Sequence, residues 1–165
     1  MSQKRMTLIG LAVVALLAFS VTVWAQDTQA QQPQAQQAQP SPQSQEGTLK
    51  LTVKYNGTEG AVDQTHKLLV FVFDSPNIGT GDTIPIKFDG LAENGGTLTM
   101  PFTVTPVYVA VVYDKTGGYD FTAPPASGSP ATIYMKDGQG PAPIAIEPGK
   151  TTEIDLQFDD SIRVP

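Results

Sequence analysis

The hydrophobic pattern is organised around one dense apolar run between Lys67 and Asp74, which reads KLLVFVFD. Its six consecutive apolar residues are rich in β-branched and aromatic types and are bounded by charge. Such a run predicts a central strand buried on both faces, because a strand with one solvated face would alternate apolar and polar residues. The segment Val107 to Asp114, VYVAVVYD, predicts a second strongly buried strand.

Other segments do alternate, as strands with one face on a core do. Their apolar positions fall within 49–55, 84–88, 98–104 and 154–158. Pro85 predicts an edge strand and Pro101 an edge or a bulge, because proline has no N–H to donate to a neighbouring strand. Shorter strands are predicted at 132–136 and 142–147, and no helical periodicity occurs after residue 46. We therefore predict an all-β fold, an antiparallel β-sandwich of seven or eight strands over residues 47–165.

Residues 1–25 have the pattern of a signal peptide, and we expect a signal helix there. Lys4 and Arg5 precede an apolar stretch, and Val23-Trp24-Ala25 matches the small-residue requirement of signal peptidase. We predict cleavage after Ala25 and export to the periplasm or the extracellular space. The alternative is an uncleaved membrane anchor, because residues 6–25 are long enough to cross a hydrocarbon core of ~30 Å as a helix.

Residues 26–46 are predicted to be a disordered linker rich in glutamine and proline. Ten of these 21 residues are glutamine and three are proline, and the segment contains no aliphatic residue larger than alanine. It has too little apolar surface to offset the entropy lost on ordering. The folded domain is therefore expected to begin at Gly47.

Charge and cysteine content exclude several classes of function. Removing residues 1–25 leaves eight basic residues against sixteen acidic ones, a formal charge of −8, and the basic residues are scattered singly. Nucleic acid is therefore not expected as a partner, nor is a membrane beyond the N-terminal segment. The sequence has no cysteine, so disulfides, lipid attachment at cysteine and thiolate chemistry are excluded.

The sequence offers little for catalysis, and we predict that the protein is not an enzyme. His66 is the only histidine and no Gly-x-Ser-x-Gly motif is present, so His66 is expected to be solvated at a strand edge. Asp74 and Asp114 each follow a buried strand. If those strands are antiparallel neighbours, the two carboxylates lie at opposite ends of the sandwich and share no site.

The loop 114–125 holds the candidate binding residues. Asp114 and Asp120 flank Gly117-Gly118 and could begin a calcium site, although a hard cation prefers six to eight oxygen ligands. The alternative is that these aspartates cap turns. Tyr119 and Phe121 could stack on sugar rings, or could fold back to cover the end of the sandwich. We expect no cofactor, and calcium bound by this loop is the alternative.

Four segments resemble the carboxypeptidase regulatory-like domains, which have a transthyretin-like, or prealbumin-like, β-sandwich. They are GTLKLTVKYNG at 47–57, VFDSP at 72–76, VYVAVVYD at 107–114 and IEPGKTTEIDL at 146–156. The likeness spans about residues 47–159, although FTVTP at 102–106 departs from the glycine-rich proline turn common in the family.

The resemblance implies a structural or accessory module of exported bacterial proteins, usually without catalytic residues. We therefore expect a non-catalytic module with a structural or protein-interaction role at the cell envelope or outside the cell. The expected partner is an envelope or extracellular protein. The alternative is a module that binds polysaccharide or calcium through the loop 114–125.

Overall fold

A computed structural model describes residues 45–80 and 83–165. The predicted signal peptide and nearly all of the predicted linker lie outside these residues. The described part contains seven strands and no helix. The strands are β1 (Gly47–Tyr55), β2 (Leu68–Phe73), β3 (Lys87–Leu91), β4 (Thr97–Phe102), β5 (Tyr108–Tyr113), β6 (Ala131–Ile133) and β7 (Thr151–Phe158). No stretch of the described chain forms a helix long and apolar enough to span a membrane.

The strands form two sheets, with the order β4-β1-β7 in the three-stranded sheet and β3-β2-β5-β6 in the four-stranded sheet. All pairs but one are antiparallel. The exception is β1 with β7, which run parallel in a register that places Thr48 beside Thr151 and Tyr55 beside Phe158. The prediction of an antiparallel sandwich was therefore wrong for this one pair, because the loops and strands between β1 and β7 return the chain to the same end of the sheet.

The core lies between the two sheets. Leu49, Leu51 and Val53 of β1 pack in one cluster with Val70 and residues of β5. Side chains at alternate positions of a strand point to the same face, which is why the alternation in β1 gives a single buried side. The two sheets therefore share one hydrophobic core, as in a β-sandwich.

The central position predicted for β2 is confirmed. All six of its residues are buried, and it lies between β3 and β5. One face contributes to the shared core, while Leu69, Phe71 and Phe73 belong to a second cluster on the outer face of the four-stranded sheet. This outer face is covered by loop residues, which explains why the run has no polar alternation.

Three predicted strands differ from the structure. Residues 84–88 were expected to face the core, yet Ile84, Ile86 and Phe88 are exposed. The strand predicted at 132–136 is β6, which ends at Ile133. The strand predicted at 142–147 is only a single bridge between Ile144 and Val107. Buried apolar residues in 142–147 pack against the core without forming a ladder.

Candidate functional site

Asp114 organises the loop that follows β5. The residue is 4% exposed. One oxygen accepts hydrogen bonds from the Thr116 hydroxyl and the Gly117 N–H, both at 3.0 Å, and the other accepts from the Tyr119 N–H at 2.9 Å. Gly117 and Gly118 adopt φ values of 75° and 74°, which glycine tolerates best. Both Asp114 oxygens thus accept hydrogen bonds from the loop and hold it around the carboxylate.

Asp120 forms a separate and exposed turn. Its Oδ1 accepts hydrogen bonds from the Thr122 hydroxyl at 2.6 Å and the Thr122 N–H at 3.1 Å. The bond from the Thr122 hydroxyl has the larger effect and the bond from its N–H the smaller, and together they hold the pKa of Asp120 below its ordinary value. Within residues 45–80 and 83–165, no group of three or more His, Asp or Glu side chains is placed to hold a metal ion. The calcium site at Asp114 and Asp120 stays a prediction.

Tyr119 and Phe121 pack against the outer face of the four-stranded sheet. Both rings meet Phe71 edge to face, with centroids 6.2 Å and 5.8 Å away. The Tyr119 hydroxyl donates to the Ala123 carbonyl, and burial raises the pKa of Tyr119. The aromatics do fold back onto the domain, but they cover a sheet face and not the end of the sandwich.

Phe121 has a left-handed backbone, with φ of 61°. This conformation is uncommon for residues other than glycine and costs roughly 1–2 kcal/mol. Contacts of its ring with Phe71, Phe88 and Tyr119 hold it in place. The loop therefore presents the Phe121 ring at a fixed position on the sheet.

Phe88 of β3 is a residue of this surface that the sequence did not single out. Its ring stacks on Phe121 with centroids 4.6 Å apart and planes 19° from parallel, yet Phe88 remains 52% exposed. We call Phe71, Phe88, Tyr119 and Phe121 the aromatic patch. The signal that could have identified Phe88 is an aromatic residue on a predicted edge strand, where a side chain can lie on the solvated face.

His66 lies outside the aromatic rings but beside the loop 114–125, because a Cβ at Gly117 would lie 3.1 Å from His66 Nε2. His66 is partly exposed and its Nδ1 lies 3.3 Å from Asp63 Oδ1. That Asp63 oxygen also accepts the His66 and Thr65 N–H groups, which lower the pKa of Asp63. Because β2 and β5 are antiparallel neighbours, Asp74 and Asp114 lie at opposite ends of the sheet, as predicted.

A second apolar surface lies where the edge strands β3 and β4 approach each other. Ile84 is 80% exposed, and Ile86 and Val104 are also exposed. Ile86 and Val104 line one shallow cleft. Lys87 reaches across this side of the sandwich, with its Nζ donating to the Pro101 carbonyl and lying 4.8 Å from the centroid of the Phe102 ring. We call Ile84, Ile86 and Val104 the apolar margin.

No protein-family model, curated protein or solved structure matches this chain.

Proposed function

We propose that the protein is a non-catalytic exported β-sandwich module that acts by binding other proteins, or as a structural element, at the cell envelope or outside the cell. The observation that carries this proposal is the apolar margin. Among the described residues, six large hydrophobic side chains are exposed; three of them, Ile84, Ile86 and Val104, form the margin, and Phe88 of the aromatic patch is a fourth. Exposed apolar side chains that cluster are typical of interaction surfaces.

The two apolar surfaces are adjacent along β3. Ile86 lines the cleft of the margin, and Phe88, two residues further on, belongs to the aromatic patch. A partner contacting β3 could therefore bury residues from both surfaces. Buried aromatic side chains are the residues that most often dominate binding energy at protein interfaces.

We also propose that the chain is an exported module of the carboxypeptidase regulatory-like, transthyretin-like kind. The support is the resemblance of the four segments together with two sheets that share one core. Export rests on the pattern of residues 1–25. Mass spectrometry of the exported protein is expected to show Gln26 as its first residue, and a protein retained in the cytoplasm would contradict the proposal.

Site-specific photo-crosslinking in the producing cell tests the interaction role. A crosslinker at Ile84 is expected to trap an envelope or extracellular protein. The control is Lys54, which is exposed on the outer face of β1 in the three-stranded sheet. Identical products from the two positions, or none from Ile84, would contradict a role for the apolar margin.

The second candidate function is carbohydrate binding, which the Phe88–Phe121 stack favours. Phe88 keeps about half of its surface in solvent while Phe121 fixes its orientation. One ring face is thus available to the apolar face of a sugar. Polysaccharide binding that is lost in Phe88→Ala, Tyr119→Ala and Phe121→Ala with the fold intact would support this candidate. Retained binding in all three variants would exclude it.

A further inference from the structure

One side of β7 is left open by the described residues. Among them, β7 is an edge strand that pairs only with β1. At the two ends of this ladder, the Thr48 N–H donates to the Lys150 carbonyl at 2.8 Å and the Asn56 N–H donates to the Phe158 carbonyl at 2.7 Å. Even-numbered residues of β7 therefore direct their N–H and C=O groups toward β1, because both groups of one residue lie on the same side of a strand.

The odd-numbered residues of β7 direct their backbone groups away from β1. No turn, loop or side-chain hydrogen bond within the described residues reaches these groups. Their side chains are exposed as well. The residues are Thr151, Glu153, Asp155 and Gln157.

The other edges of the two sheets are shorter or partly covered. β4 contains Pro101, whose carbonyl accepts a hydrogen bond from Lys87. β6 has three residues, and the Ala131 N–H donates to the Ile162 carbonyl at 2.8 Å. β3 has five residues. β7 has eight residues and no proline, so it is the longest edge in the described part that can accept another strand.

Charge determines what kind of strand fits. Glu153 pairs with Lys50 at 3.1 Å, while Asp155 forms no ion pair with any described residue. A second copy of β7 is a poor match, because antiparallel registers centred on Ile154 or Asp155 would place acid directly opposite acid. Like charges at such positions are destabilising, whereas opposite charges contribute roughly 0.2–1 kcal/mol per pair.

We infer that β7 is a docking edge for an extended, basic segment of a partner protein, which adds to the three-stranded sheet as a fourth strand. Main-chain hydrogen bonds to the odd-numbered residues supply affinity, and lysine or arginine side chains beside Glu153 and Asp155 supply specificity. This inference rests on the proposed protein-interaction role and names the chemistry of the partner.

The test uses a synthetic eight-residue peptide in which lysine and valine alternate, added to isotope-labelled protein expressed from the full sequence. In NMR titrations the amide signals of Thr151, Glu153, Asp155 and Gln157 are expected to shift and then to exchange more slowly with solvent. A peptide in which glutamate replaces lysine is expected to cause no shifts. Shifts confined to other strands, or no shifts with either peptide, would overturn the inference.

Two proline variants separate strand addition from general attraction between opposite charges. Asp155→Pro removes an N–H that faces away from β1, so it blocks the added strand while keeping the β1–β7 ladder. We expect a fall in affinity of about tenfold or more. The matched control is Thr99→Pro on the β4 edge, which is expected to leave peptide affinity unchanged. Equal affinity in Asp155→Pro and the unaltered protein would overturn the inference.

A charge-reversal variant keeps the test valid if a proline variant fails to fold. Asp155→Lys is expected to weaken binding of the lysine peptide and to permit binding of the glutamate peptide. Unchanged preference for the lysine peptide would overturn the inference. If the peptide does not bind at β7 but crosslinks form at Ile84, the inference about β7 is wrong and the proposed interaction role is still supported. If the protein is not exported, the proposed role is wrong even if the peptide binds.

Discussion

At the scale of residues, Tyr55 shows how a buried polar side chain joins the end of β1 to the chain's last turn. Its ring stacks on Tyr113 with centroids 4.6 Å apart, and its hydroxyl donates to the Asp160 carboxylate. The Thr58 N–H donates to the other Asp160 oxygen at 2.7 Å. A Cβ at Gly57 would collide with both Tyr55 and Asp160. A side chain at position 57 would therefore displace the Tyr55–Asp160 pair.

This hydrogen bonding predicts how stability depends on acid. The Tyr55 hydroxyl and then the Thr58 N–H hold the pKa of Asp160 below its ordinary 3.8. A carboxylate with a lowered folded-state pKa stabilises the fold above its unfolded pKa, and this contribution is lost as pH falls through the folded pKa. Asp160→Asn is expected to make Tm less sensitive to pH below about 4.

The control for Asp160→Asn is Asp155→Asn, because the Asp155 carboxylate makes no ion pair within the described residues. Thermal melts of both variants between neutral and strongly acidic pH provide the comparison. If Tm of Asp160→Asn falls with acid as steeply as Tm of the unaltered protein, the role assigned to the Tyr55–Asp160 pair is contradicted.

The loop that carries the aromatic patch depends on Asp114. Asp114→Ala leaves three donors without their acceptor, which is expected to cost about 2–4 kcal/mol and to lower Tm by several degrees. Asp120→Ala is the matched control and is expected to change Tm far less, because Asp120 is exposed and, among the described residues, its carboxylate bonds only Thr122. Equal effects in differential scanning calorimetry would contradict the organising role of Asp114.

At the scale of elements, the sequence was most informative where burial is continuous. The run 67–74 contains β2, and the run 107–114 contains β5, because a strand covered on both faces has no polar positions. The parallel pairing of β1 with β7 could not be predicted, since alternation identifies a buried face but not a neighbouring strand. The prediction that the apolar side chains of 84–88 face the core was wrong for a related reason. Alternation shows that the apolar residues share one face of a strand, but it does not show whether that face is buried.

Truncating a buried residue of β1 and an exposed residue of the apolar margin should have very different effects on the free energy of unfolding. Leu51→Ala in β1 is expected to cost about 2–5 kcal/mol, because Leu51 is 1% exposed and its truncation leaves a cavity between the sheets. Ile84→Ala is the control and is expected to change the unfolding free energy by less than about 0.5 kcal/mol. A large loss in Ile84→Ala on urea denaturation would show that the margin belongs to the core.

At the scale of the whole molecule, the two sheets present different outer faces. Lys50, Thr52 and Lys54 give the outer face of β1 a polar character. The outer face of the four-stranded sheet instead carries a second apolar cluster, covered by Tyr119 and Phe121. The candidate site was therefore only partly predictable: Tyr119 and Phe121 stand out in the loop sequence, whereas Phe88 joins them only through the pairing of β3 with β2.

We propose that the aromatic patch serves protein contacts and does not bind small ligands, and a thermal melt tests this proposal. The protein is heated alone, with calcium, and with a panel of soluble polysaccharides. A ligand present at about a hundred times its Kd stabilises the native state by roughly 2.7 kcal/mol, a shift of several degrees. We expect no shift of Tm with calcium or with any polysaccharide. A reproducible rise in Tm that disappears in Phe88→Ala would contradict it and would make the aromatic patch a carbohydrate site.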